Sequence, residues 1–125
     1  DWGPGMARYG AMRQALASGR QSFRHLDAVS LVKQAYALRT QSLKRARGAV
    51  LVYLHAAPAA WANGKPVDQA SIARHAAEVD DFAKRVKGDD VAFSRLRWSD
   101  LVAQWASLPA LAPHAAALQD RLGPF

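Results

Sequence analysis

The spacing of apolar residues changes several times along this chain, and each change marks an element. Met6, Tyr9, Met12 and Leu16 recur at helical intervals and Gly19 follows them, which predicts a first helix over 6–18. A longer helix is predicted over 27–46, where apolar residues form two adjacent stripes, Ala28/Leu31/Ala35/Leu38 and Val29/Val32/Tyr36/Leu43. A face that wide implies packing against a sheet or against several neighbours. Asp27 is placed to accept the free amides of the first turn, and Gly48 marks the end.

Val50-Leu51-Val52-Tyr53-Leu54 shows no alternation. Such a run, bounded by Gly48 and Pro58, predicts a strand at about 49–55 that is buried on both faces. A loop follows over 55–67, with Pro58, Trp61, the turn pair Asn63-Gly64 and Pro66. Asp68 can cap a helix reaching Val86, with Ile72, Ala76, Val79, Phe82, Ala83 and Val86 inward and Glu78, Asp80, Asp81 and Lys84 facing water; Gly88 is its stop. Val91-Ala92-Phe93-Ser94 alternates and predicts a second strand at about 91–95. Ser99 is a cap candidate for a short helix carrying Leu101, Val102 and Trp105, and Pro113 suits the start of an Ala-rich last helix ending at Leu122.

The order helix, helix, strand, helix, strand, helix, helix argues for an α/β chain, rich in helix, with a small mixed sheet of about two strands and about five helices. It reads as one domain or domain fragment over 1–125: an N-terminal helix within 1–20, a helix-strand-helix-strand-helix core over 21–106, and a C-terminal helix within 107–125. Two strands make a meagre sheet. A strand apolar on both faces wants neighbours on either side, so the pattern points to a missing piece or to pairing between chains.

Composition narrows the class. The 125 residues are 50% hydrophobic and 22% charged, an ordinary globular balance. The sequence has no cysteine, which excludes a disulfide scaffold, a Cys-ligated zinc site and a thiol nucleophile, and it suits a reducing compartment such as the cytoplasm. The chain opens at Asp1 with neither Met nor an apolar leader, so a processed product that continues upstream is expected. The uncharged stretches 48–64 and 101–119 are broken by prolines and polar residues, and no membrane helix is expected.

Charge is unevenly spread. Of the net +7, all is accounted for by residues 1–50, which hold nine basic residues against two acidic ones, while the remainder balances. Such asymmetry favours a polyanionic partner for the first part, DNA or another nucleic acid or an acidic protein, against the plainer reading of a surface rich in Arg. The candidate nucleic-acid-binding residues are Lys33, Arg39, Lys44, Arg45 and Arg47, all on or just after the second predicted helix. The competing reading is that the last three balance the helix dipole and aid solubility.

Residues 22–40 read SFRHLDAVSLVKQAYALRT, followed by GAVLVYLHAAP (48–58), HAAEVDDFAKRVKGDDVAF (75–93) and RWSDLVAQW (97–105). This succession resembles the C-terminal part of bacterial restriction-endonuclease-like proteins of the PD-(D/E)XK nuclease superfamily. Leu26-Asp27 and Leu31-Val32-Lys33 match a helix that begins Leu-Asp and continues Gln-Leu-Val-Lys-His; Leu101 matches a Tyr-x-x-Leu segment. Ser30, Gln34, Ala37 and Trp98 stand where Gln, His, Gly and Tyr are expected. The resemblance spans about 22–105 and implies the second half of an α-β-β-β-α-β core, with 27–46 as its second helix and 50–54 as its fourth strand. The catalytic Asp and Glu-x-Lys pair would then lie upstream of Asp1.

The chain carries no such chemistry of its own. Its one glutamate, Glu78, precedes Val79-Asp80, and no acidic residue has Lys two positions on. No catalytic residue, no metal ligand and no cofactor is therefore assigned to it; Mg²⁺ is expected only for a complete nuclease of the resembled family. Asp80-Asp81 and Asp89-Asp90 read as a solvated helix face and a polar turn. His25, His55, His75 and His114 lack ligand spacing. There is neither a nucleophile elbow nor a phosphate loop. Trp105 reads as core, and Trp61 as the one loop tryptophan able to act as an exposed platform. The alternatives are a non-enzymatic module that binds nucleic acid or protein, and a self-associating scaffold that completes its sheet by pairing between chains.

Overall fold

A computed structural model describes residues 2–125. After a 3-10 turn at Pro4–Met6 come α1 (Ala7–Ala17), α2 (Ala28–Arg45), β1 (Ala49–His55), α3 (Gln69–Val86), β2 (Val91–Arg97), α4 (Trp98–Ala106) and α5 (Ala112–Leu122). The two strands pair in parallel with α3 as the crossover, so the expected helix-rich α/β fold with a small sheet is the one observed. The chain forms two compact units: residues up to Val52 with Ala73–Ser94, and Tyr53–Ile72 with Arg95–Phe125.

In the first unit Phe82 of α3 is fully enclosed. Its ring meets Tyr9, Phe23 and Phe93 edge-on, with centroids 6.2, 6.3 and 5.0 Å away. Such edge-to-face pairs add about 0.5–1.5 kcal/mol each beyond area burial. Met6, Met12, Leu31, Val32, Ala35, Val79, Val86 and Val91 complete this core.

Helix α2 begins as its sequence directs. The Asp27 carboxylate accepts the Ser30 amide at 3.0 Å and the Ser30 hydroxyl at 2.7 Å, and these bonds hold the carboxyl below its ordinary range. Its end differs from expectation. Ala46, not Gly48, turns the chain, with φ 48° in the left-handed region. The Ala46 amide donates to the Leu43 carbonyl (3.4 Å) and the Arg47 amide to the Ser42 carbonyl (3.2 Å), a Schellman arrangement that occupies the last carbonyls. The buried face is also narrower than predicted. Ala28, Leu31 and Ala35 of the first stripe are buried, but of the second only Val32 is, and Val29 and Leu43 are exposed.

Strand β1 corrects a second expectation. Only Leu51 is buried; Val50 and Val52 are 56% and 54% exposed. A run with no polar residue hides which side chains face the core, and the pleat sends Val50 and Val52 to the side opposite Leu51.

Helix α3 is amphipathic as predicted, with Val79, Phe82 and Val86 inward. Its acidic face, however, is not simply solvated. Glu78 accepts three backbone amides and Asp81 accepts from Gln21 and Arg85.

In the second unit the 55–67 loop closes tightly. Ala60 and Pro66 form an antiparallel bridge, the Trp61 amide donates to Lys65 at 2.8 Å, and Gly64 takes φ 79°. Asp68 accepts the Ala70 amide (3.1 Å) and the Ser71 hydroxyl (2.7 Å), supporting the start of α3 as expected. Helix α4 begins at Trp98, with Arg97 at its cap position and no side-chain cap. Ser99 thus lies inside the helix, because β2 runs on to Arg97 and passes directly into it. Helices α4 and α5 pack on each other through Val102 and Ala115, with Trp105 over His114 and Trp98 stacked on Phe125. Trp105 is half-buried rather than core.

Candidate nucleic-acid interface

The five basic residues singled out in the sequence do not form one patch. Arg39 serves the fold. Its side chain is 19% exposed and its Nη2 lies 2.6 Å from Asp90 Oδ2. The Asp90 amide donates to the Gly5 carbonyl at 2.8 Å, and a Cβ on Gly5 would stand 2.0 Å from the same carboxylate oxygen. Next to it, Asp89 accepts the amides of Arg8 (3.2 Å) and Tyr9 (2.8 Å). Helix α1 has no cap of its own at Met6, so Asp89 supplies one from the α3–β2 turn. The pair expected to be a mere polar turn therefore anchors both α1 and α2.

Lys44, Arg45 and Arg47 stand together at the C-terminal end of α2, all exposed. Lys44 and Arg45 belong to its last turn and Arg47 follows the left-handed Ala46. Among the described residues no ion pair engages any of the three. The backbone amides of Ala46 and Arg47 take two of the helix-end carbonyls, those of Leu43 and Ser42. The positive charge of the three cations complements the dipole, and their heads project into solvent.

Lys33 lies apart, on the exposed side of α2, and lines a groove with Arg13 of α1. Trp2 and Tyr36 line the same groove, their rings stacked with centroids 4.7 Å apart and 15° between planes. Burial raises the Tyr36 phenol pKa, against the pull of the neighbouring Arg13 that hydrogen-bonds it. Sequence reading missed this site. Arg13 and Lys33 are twenty residues apart on different helices, and Trp2 sits in a Gly/Pro loop with no periodicity to place it. Trp61, the tryptophan that reading favoured, is exposed in the second unit.

The titratable side chains of the first unit are structural in their surroundings. Glu78 accepts the amides of Arg24, His25 and Leu26 at 2.8, 2.8 and 2.9 Å. Burial pushes its carboxyl up, but these three bonds and nearby His25 outweigh it and hold the pKa below the ordinary glutamate range. Burial lowers the His75 pKa, opposed by the Glu78 charge and reinforced by His25. Among the described residues no three His, Asp or Glu side chains converge as a metal site, and no helix is long and apolar enough to cross a membrane. No protein-family profile, curated protein or solved structure matches the chain.

Proposed function

We propose that this chain is a DNA-contacting part of a DNA-processing protein of the restriction-endonuclease-like kind, one that binds the backbone rather than cutting it. The observation that carries this reading is the cluster Lys44, Arg45 and Arg47 at the end of α2, exposed and, among the described residues, without acidic partners. Phosphate contacts come from exposed cations close together, and three exposed cations fall within the four positions 44–47 at this helix end. Arg39, tied to Asp90, drops out of the group, and Lys33 belongs to the separate groove. The Asp with Glu-x-Lys that would hold Mg²⁺ in a complete nuclease is not encoded in these residues. On this reading further strands extend the sheet beside β1. Labelled duplex DNA titrated with the protein tests it: binding at low salt that the double substitution Lys44→Glu, Arg45→Glu abolishes supports it, and affinity indifferent to that change refutes it.

A second reading is favoured by the sheet's having just two strands among the described residues. A parallel pair of strands leaves an unpaired edge on each, and copies of the chain can pair through such edges. This makes a self-associating binding module, with a concentration-dependent mass in sedimentation as its signature. A monomer at high concentration removes it.

A further inference from the structure

The groove between α1 and α2 has a volume of about 410 Å³, within the range of roughly 300–1,000 Å³ usual for small-ligand sites. Its floor is apolar, made by Leu16, Val29 and Val32. The stacked Trp2–Tyr36 pair borders it, and the indole is 43% exposed. Arg13 and Lys33 bring a cation from each helix. No acidic residue is among the described residues that line it. Trp2, Tyr36 and Arg13 also line a neighbouring groove of about 660 Å³ along α1, so the aromatic pair and one cation serve two adjoining spaces.

The ligand chemistry follows from these walls. An apolar floor offers no partner to a sugar hydroxyl but accepts a flat ring, and an indole with open surface adds stacking. Cationic side chains as the main charged groups demand an anion, and Arg and Lys both suit phosphate. We propose that this groove binds a nucleotide unit, an aromatic base stacked beside Trp2 with its phosphate held by Arg13 and Lys33. The inference rests on the DNA-contacting reading for its class of partner but on different residues. The unit can come from a free nucleotide or from an unpaired stretch of single-stranded DNA.

The test uses the whole chain, fluorescence anisotropy of labelled oligothymidylate and of labelled duplex, and competition by thymidine monophosphate. Trp2→Ala is expected to weaken single-strand binding by about tenfold or more, the effect of losing one stacking platform. Lys33→Ala should weaken it less, and both should leave duplex binding within twofold of the parent. Circular dichroism confirms that each variant is folded. Competition by the monophosphate identifies the free nucleotide as a ligand; Trp2-dependent strand binding without competition identifies the strand. Single-strand affinity unchanged by Trp2→Ala, or duplex affinity lost in parallel with it, overturns the proposal. Substituting Lys44, Arg45 and Arg47 separates the two readings: if duplex binding ignores them while strand binding still needs Trp2, the α2 end fails and the groove stands.

Discussion

Asp90 holds Arg39 at 2.6 Å, and that one ion pair decides what the arginine is for. A guanidinium committed to a carboxylate beneath the surface is a tie between elements, not a free hand for phosphate. Arg39 Nε is also buried with no hydrogen-bond partner among the described residues, so the group already bears part of its desolvation cost. Asp90→Ala would leave the cation without its anion. It should lower unfolding stability by about 1–2 kcal/mol, between the cost of an exposed pair and that of a buried one, because Arg39 is 19% exposed and Asp90 47%. Gly5→Ala should give a loss in the same direction, because its methyl would displace the Asp90 carboxylate. Denaturant melts check both, and Arg39→Gln should leave DNA affinity unchanged.

Glu78 predicts how the fold responds to acid. Its carboxylate is bound by three amides and its folded pKa lies below the ordinary glutamate value of 4.5. The folded protein then takes up this proton later than the unfolded chain, so the stabilisation is full above 4.5 and is lost as pH falls through the folded pKa. His75, whose pKa lies below 6.5 in the fold, acts in the same direction, and its loss begins as pH falls below 6.5. Unfolding midpoints should therefore decline in two stages on acidification. Glu78→Gln should remove the lower stage and cost about 2 kcal/mol at neutral pH, as charge-assisted bonds to amides are lost. A midpoint profile identical to the parent's below pH 5 would contradict this role.

Ala46 occupies a left-handed conformation that glycine adopts freely, at φ 48°. A side chain there costs about 1–2 kcal/mol, part of which glycine's greater unfolded-state entropy returns. Ala46→Gly should thus raise stability by about 0.5–1 kcal/mol in a denaturant melt, with no effect on DNA binding. Destabilisation by this change would mean that the Schellman end of α2 is wrongly described.

Tyr9 carries a buried hydroxyl with no hydrogen-bond partner among the described residues, and burial drives its pKa well up, with Asp89 adding to the effect. Tyr9→Phe keeps the ring against Phe82 and removes the unsatisfied oxygen. It should be neutral or stabilising by about 1 kcal/mol. Phe82→Ala, by contrast, empties the centre of the core and should cost about 3–5 kcal/mol.

The elements were legible because their signals are local. Asp27 before an apolar periodic run, Asp68 before Ile72 and Gly88 after Val86 each act within one turn of helix, and each boundary is close to where the residues placed it. The exposure of Val50 and Val52 was not legible, since an unbroken apolar run carries no mark of which face is covered. Long-range polar roles were equally hidden. Glu78 lies 52–54 residues from the amides it accepts, and Asp89 80–81 from those it caps, and no periodicity announces such partners. The candidate interface shows the same division. Lys44, Arg45 and Arg47 share the exposed end of α2 because they are neighbours in sequence, whereas Arg39 and Lys33 on the same helix face different surroundings.

The direct measurement is the salt dependence of duplex-DNA affinity for the parent chain and for Lys44→Glu/Arg45→Glu/Arg47→Glu. Each phosphate neutralised contributes about −0.9 to the slope of log K against log salt. A steep negative slope is expected for the parent and one shallower by roughly 2–3 for the triple variant, for up to three lost contacts. Identical slopes, or a parent whose affinity does not respond to salt, would contradict the proposed DNA contact.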